Sequence, residues 1–86
     1  MILDVREPFE TELAPFPGAH TLPMGDVPAR LGELDPDREI VVVCHHGVRS
    51  AQVAAYLSDK GFARVLNLAG GIEAWSLEVD PSVPRY

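Results

Sequence analysis

The sequence predicts an α/β sandwich, with helices covering a small, mostly parallel sheet. Two observations carry that prediction. Short apolar runs alternate with segments of helical spacing along the chain, the pattern of strands joined by crossovers. In addition, "EIVVVC" (39–44) is an almost unbroken β-branched run, as expected of a strand covered on both faces. Right-handed crossovers then place helices on both sides of the sheet. Eighty-six residues supply one modest core, so residues 1–86 are read as a single domain.

The elements follow in order. "MILDV" (1–5) reads as a buried strand. "REPFETELAPFPGA" (6–19) is dense in Pro and Glu and reads as loop with one helical turn after Pro8. "AHTLP" (19–23) is a second short strand, ended by Pro23. In "MGDVPARLGELDPD" (24–37), Met24, Val27, Leu31 and Leu34 recur at helical spacing. With Asp26 as N-cap and Pro28 in the first turn, this spacing predicts a short helix, and Asp35–Asp37 a turn. The "EIVVVC" strand comes next. "SAQVAAYLSDKGF" (50–62) is rich in helix formers, with Val53, Ala54 and Leu57 on one face and Gly61 at the C′ position. "RVLNL" (64–68) is a further strand, and "GGIEAWSLEV" (70–79) a glycine turn leading into a short helix. The proline-broken tail "DPSVPRY" (80–86) is expected to be irregular.

Composition narrows the function classes. The net charge is −6 and the seven basic residues are scattered, which disfavours nucleic-acid binding. A lone cysteine cannot form an internal disulfide, and a reducing, cytoplasmic setting is the simplest inference. No apolar run approaches membrane-spanning length, and acidic residues interrupt "MILDVREPF" too early for a signal peptide. An anionic small molecule would need a local positive site working against the field of the whole chain.

Such a site is expected at Cys44. Ligands of parallel α/β folds bind at the carboxyl ends of strands, and Cys44 stands at one of them. A glycine-bearing loop follows, and a helix starts at about Arg49 to Ala51. The unpaired amides of a first helical turn, with a loop curled around them, make an anion-binding nest. Gly47 supplies the backbone freedom for the curl. A thiolate there would be stabilised and its pKa depressed. Arg49 adds a planar cation suited to oxyanions. By composition a cysteine after "VVV" is usually core packing, but packing does not require the glycine, the arginine and the helix start that follow. His45 and His46 are adjacent and lack a second ligand cluster, so a metal is not expected. They are read as lining the mouth of the pocket.

Four pieces, "LDVREP" (3–8), "PGA" (17–19), "IVVVCHHGVRSAQVAAYL" (40–57) and "GFARVLNLAGGIEAW" (61–75), resemble in order and spacing a single-domain rhodanese, or sulfurtransferase. The resemblance implies a three-layer α/β sandwich with a central parallel sheet and a persulfide-carrying cysteine. Cys44 would take sulfane sulfur from a small anionic donor such as thiosulfate and pass it to cyanide or to a thiol, small or on a protein, with no cofactor. It also implies that the loop residues His45, His46, Gly47, Val48, Arg49 and Ser50 bind the substrate, Arg49 at the donor's oxyanion end. Asp4 and Arg6 fall on the family's "DVRE" pattern as supporting residues, and Trp75 is read as core. Family members usually carry a strand and helix before "LDVRE". Their absence here implies a lost edge element, and a monomer or weak homodimer. "APFPGA" (14–19) also replaces the more usual Gly-His-Ile before "PGA". Two rivals stand beside this reading. One is a sulfur-relay or regulatory binding module with little turnover. The other is a phosphatase or arsenate reductase of the related fold, whose arginine typically lies six positions after the cysteine, where this chain has Ser50.

Overall fold

The computed structural model describes residues 1–86. Four short strands form one parallel sheet: β1 (Ile2–Asp4), β2 (Ala19–Thr21), β3 (Ile40–Val43) and β4 (Val65–Asn67). Their spatial order is β2-β1-β3-β4, so β1 and β3 are central and β2 and β4 are the edges. The α-helices are α1 (Pro8–Leu13), α2 (Val48–Asp59) and α3 (Gly71–Glu78). No helix is long and apolar enough to cross a membrane.

The side-chain alternation of β1 and β3 divides the interior into two faces. Leu3, Ile40, Val42 and Cys44 join Val53 and Leu57 of α2, with Val27, Leu34 and Phe62, in the larger cluster. Ile2, Val41 and Val43 turn the other way, where Ile72, Val83, Phe16 and Trp75 pack. The result is a three-layer sandwich, as the sequence predicts. Trp75 lies in the thinner layer with its ring centroid 6.1 Å from that of Phe16.

One predicted element differs. No α-helix forms over residues 24–34; two isolated turns of 3₁₀ helix, Met24–Asp26 and Leu31–Glu33, stand there instead. Pro28 lacks the amide that a continuing ladder needs, and Gly25 and Gly32 weaken it on either side. The apolar spacing is nonetheless used, since Val27 and Leu34 are buried and Met24 and Leu31 pack against them. The segment "APF" also has its place: the Ala14 carbonyl accepts a hydrogen bond from Arg6 and Phe16 fills the second face.

Candidate active site

The site forms where β3 ends and α2 begins. Cys44 is 1% exposed and follows directly on the buried strand. The backbone then turns through His45, His46 and Gly47, and Gly47 caps α2 with φ +97°. A side chain is excluded there twice over. The left-handed conformation disfavours one, and a Cβ would press on the backbone of Leu68 and Gly70. The turn aims two amides at the sulfur: Gly47 N donates to Cys44 Sγ at 3.1 Å and Ser50 N at 3.3 Å. Sγ and the Ser50 hydroxyl are 3.3 Å apart. Burial alone pushes the Cys44 thiol up. Hydrogen bonds from the Ser50 hydroxyl and the amides of Ser50, Gly47 and His46 outweigh it, leaving the thiol below its ordinary value.

Ser50 has a second partner, since its hydroxyl donates to Asn67 Oδ1 at the end of β4. Asn67 Nδ2 in turn donates to the Gly47 carbonyl at 3.2 Å, which fixes the amide's orientation. A serine has one proton to give. With Cys44 as a thiol, the donors run from Sγ to Ser50 Oγ to Asn67. With Cys44 as a thiolate, Ser50 turns its proton to the sulfur.

The loop carbonyls are held from the other side of the sheet. Ile72 N and Glu73 N, in the first turn of α3, donate to the carbonyls of Cys44 and His45 at 2.9 and 3.0 Å. This approach depends on Gly71, buried at φ +65°, where a Cβ would collide with both carbonyl groups. Two helix N-termini thus converge on one loop. The first turn of α2 engages the sulfur and that of α3 engages the backbone that carries it.

The charged residues around the loop are paired. Asp4 and Arg6 are fully buried, joined by Arg6 Nε and Nη2 donating to the Asp4 carboxylate, with Nη2 also reaching the Ala14 carbonyl. Arg49 does not stand free beside the sulfur. Its Nη1 and Nη2 donate to the two oxygens of Glu10 at 2.5 and 2.9 Å. Glu10 is buried in α1 and also accepts from Glu7 N and from the Tyr86 hydroxyl. The Arg49 fork, with those two donors, overcomes burial and holds the Glu10 carboxyl down to about 2. The half-buried His45 stacks between His46, which is exposed, and the ring of Tyr86, with centroids 4.1 and 3.9 Å away. Its Nε2 faces Glu73, which Arg85 pairs at 2.7 Å.

The loop residues expected from the sequence, Cys44 to Ser50, form one continuous turn, and Ser50 and Gly47 touch the sulfur. Val48 points to solvent at 67% exposure. Asp4 and Arg6 form a pair of their own beneath the loop. Sequence reasoning missed Glu10, Asn67, Gly71 and Tyr86. Asn67 stands at the carboxyl end of a strand, the position that flagged Cys44, and could have been found by the same rule. Glu10, three residues after Glu7 at a helix start, carries a capping signature but no mark of its partner Arg49. Nothing in "DPSVPRY" announces that its last ring returns to the loop.

Comparison with known proteins agrees with this geometry. The sequence profile of the family described as "Rhodanese-like domain" matches residues 1–78. A sulfurtransferase of Allochromatium vinosum is 45% identical over 76 residues, covering 88% of this chain and 71% of that protein. A rhodanese-like/PpiC domain-containing chloroplast protein of Arabidopsis thaliana is 44% identical across 99% of this chain, which spans only 30% of its length. Among solved structures, a rhodanese-like domain protein of Staphylococcus aureus superposes with a TM-score of 0.81 at 38% identity, over 86% of this chain and 72% of that one.

Proposed function

From the premise that this chain belongs to the rhodanese-like family of sulfurtransferases, we propose that it moves sulfane sulfur through a persulfide on Cys44. The Cys44 thiolate attacks the outer sulfur of a donor such as thiosulfate. A new S–S bond forms, the donor's S–S bond breaks, and its electron pair leaves with sulfite. The terminal sulfur of the persulfide then passes to cyanide, giving thiocyanate, or to a thiol, giving a new persulfide, and the Cys44 thiolate is restored. No external oxidant or reductant is needed. The acceptor thiol belongs to a small molecule or to a protein partner.

The single observation that carries this reading is the closed cradle around Sγ, with Gly47 N and Ser50 N within 3.3 Å of the sulfur. Donors so placed stabilise a thiolate before transfer and the anionic persulfide after it. The same closure favours sulfur over phosphate. The amides of Gly47 and Ser50 converge on one sulfur atom. A phosphatase needs a bowl wide enough for a tetrahedral oxyanion. Steady-state assays test the proposal: thiocyanate should form from thiosulfate and cyanide, and Cys44→Ser should abolish it. Cys44-dependent turnover of an aryl phosphate, without thiocyanate formation, would replace this reading with the phosphatase one.

A further inference from the structure

The geometry points to Glu10 as a specificity-determining residue that withholds Arg49 from oxyanion-ended donors, turning the site toward donors whose transferable sulfur sits on a thiol, the persulfides RS–SH. The inference rests on the sulfur-transfer reading above and concerns which donor that site accepts.

The charge carried through the transfer decides between donor classes. Attack of a thiolate on thiosulfate gathers the thiolate's charge and both charges of the donor, and expels sulfite as a dianion. Attack on RS–SH forms Cys44 Sγ–SH, breaks the donor's S–S bond and releases RS⁻, with only the thiolate's charge moving. The first reaction gains much more from an available cation beside the sulfur than the second does.

No arginine near the loop is available in that sense. Arg6 is matched by Asp4, Arg85 by Glu73 and Arg49 by Glu10. Of the three, Arg49 lies closest along the chain to the cradle, and its two terminal nitrogens both face Glu10. The pair is not easily opened. The Glu10 side chain is 7% exposed and takes two further hydrogen bonds, from Glu7 N at 3.1 Å and the Tyr86 hydroxyl at 2.5 Å. Moving Arg49 to a donor would leave that carboxylate buried and uncompensated. Acid does not release it at working pH either, because the carboxyl is held down to about 2. The net charge of −6 adds a repulsion that a dianion feels more strongly than a donor carrying at most one charge at its reacting end.

The test compares initial rates of sulfur loading on Cys44 by thiosulfate and by glutathione persulfide, in wild type, Glu10→Gln and Tyr86→Phe. Wild type should favour the persulfide. Glu10→Gln keeps the side chain's shape and removes its charge. It should raise the thiosulfate-to-persulfide rate ratio by at least about tenfold, the size of one charge-assisted hydrogen bond. Tyr86→Phe, which removes one donor to Glu10 and keeps the ring, leaves the buried carboxylate more dependent on Arg49 and should lower the ratio or leave it unchanged. Adding Arg49→Gln to Glu10→Gln should return the ratio to the wild-type value. A ratio that stays within about twofold in folded Glu10→Gln overturns the inference, as does a wild type that prefers thiosulfate. Should Glu10→Gln not fold, by its thermal melt, Tyr86→Phe decides: a ratio at or below the wild-type value supports the inference, and one raised by more than about twofold overturns it. Loading by neither donor in wild type overturns the sulfur-transfer reading itself, and this inference with it.

Discussion

Cys44 is set apart from a packing cysteine by the amides of Gly47 and Ser50 aimed at its sulfur and by the Ser50 hydroxyl 3.3 Å from it. Ser50→Ala removes the hydroxyl alone, so the thiol should titrate higher. The pH profile of iodoacetamide alkylation should show a midpoint below the usual ~8.5 in wild type and a higher one in the variant. An unmoved midpoint would mean that the amides suffice. The linkage has a definite sign. Because the folded value is lowered, ionisation of Cys44 favours the folded chain at pH above the unfolded value, and that contribution is lost as pH falls through the folded one. Beneath the loop, Asp4→Ala leaves Arg6 buried without its carboxylate and should cost about 3–5 kcal/mol in denaturant unfolding. At this scale the sequence showed the cysteine and the cradle around it, since a cysteine, a glycine and a helix start are adjacent in the chain. It did not show what Arg49 is paired with. Glu10 lies 39 residues away, and a contact across that separation has no local signature.

Among the elements, α3 contributes most to the site without touching the sulfur. Its first two free amides hold the carbonyls of Cys44 and His45, and Gly71 allows the close approach. Gly71→Ala should destabilise the fold by at least about 1–3 kcal/mol through the strained φ alone, with the collision against the loop added to that. Sulfur transfer should fall with it, as read by a thermal melt alongside the thiocyanate assay. "GGIEAW" was legible as a turn and helix, but its role as clamp on a loop 28 residues earlier was not, because that depends on β3 and β4 being neighbours. The predicted helix over residues 24–34 failed for an opposite reason. Its apolar spacing is real and is buried as expected, yet Pro28 and two glycines break the backbone ladder that would join it. Periodicity reports which side chains face the core, and the backbone then satisfies it by whatever turns its residues permit.

For the molecule as a whole, an acidic chain builds a local anion site from backbone dipoles rather than from free cations. That explains how Cys44 is stabilised in a chain of charge −6 while every arginine near it is compensated. It also makes a kinetic prediction. Adding potassium chloride up to about physiological ionic strength should raise the thiosulfate loading rate about twofold or more, by screening repulsion of the dianion. A rate that falls with salt would reveal an uncompensated cation at the site. The parallel sheet and its two-faced core were readable from "EIVVVC" and the strand–helix alternation, because burial on both faces leaves a continuous apolar run. The return of the tail, which brings Tyr86 against His45 and Glu10, was not. Whether Cys44 carries sulfane sulfur is read by intact-mass spectrometry after incubation with thiosulfate and, separately, with glutathione persulfide. The wild type should gain one sulfur atom, released by cyanide and absent from Cys44→Ser. No adduct from either donor, or an adduct that persists in Cys44→Ser, would contradict it.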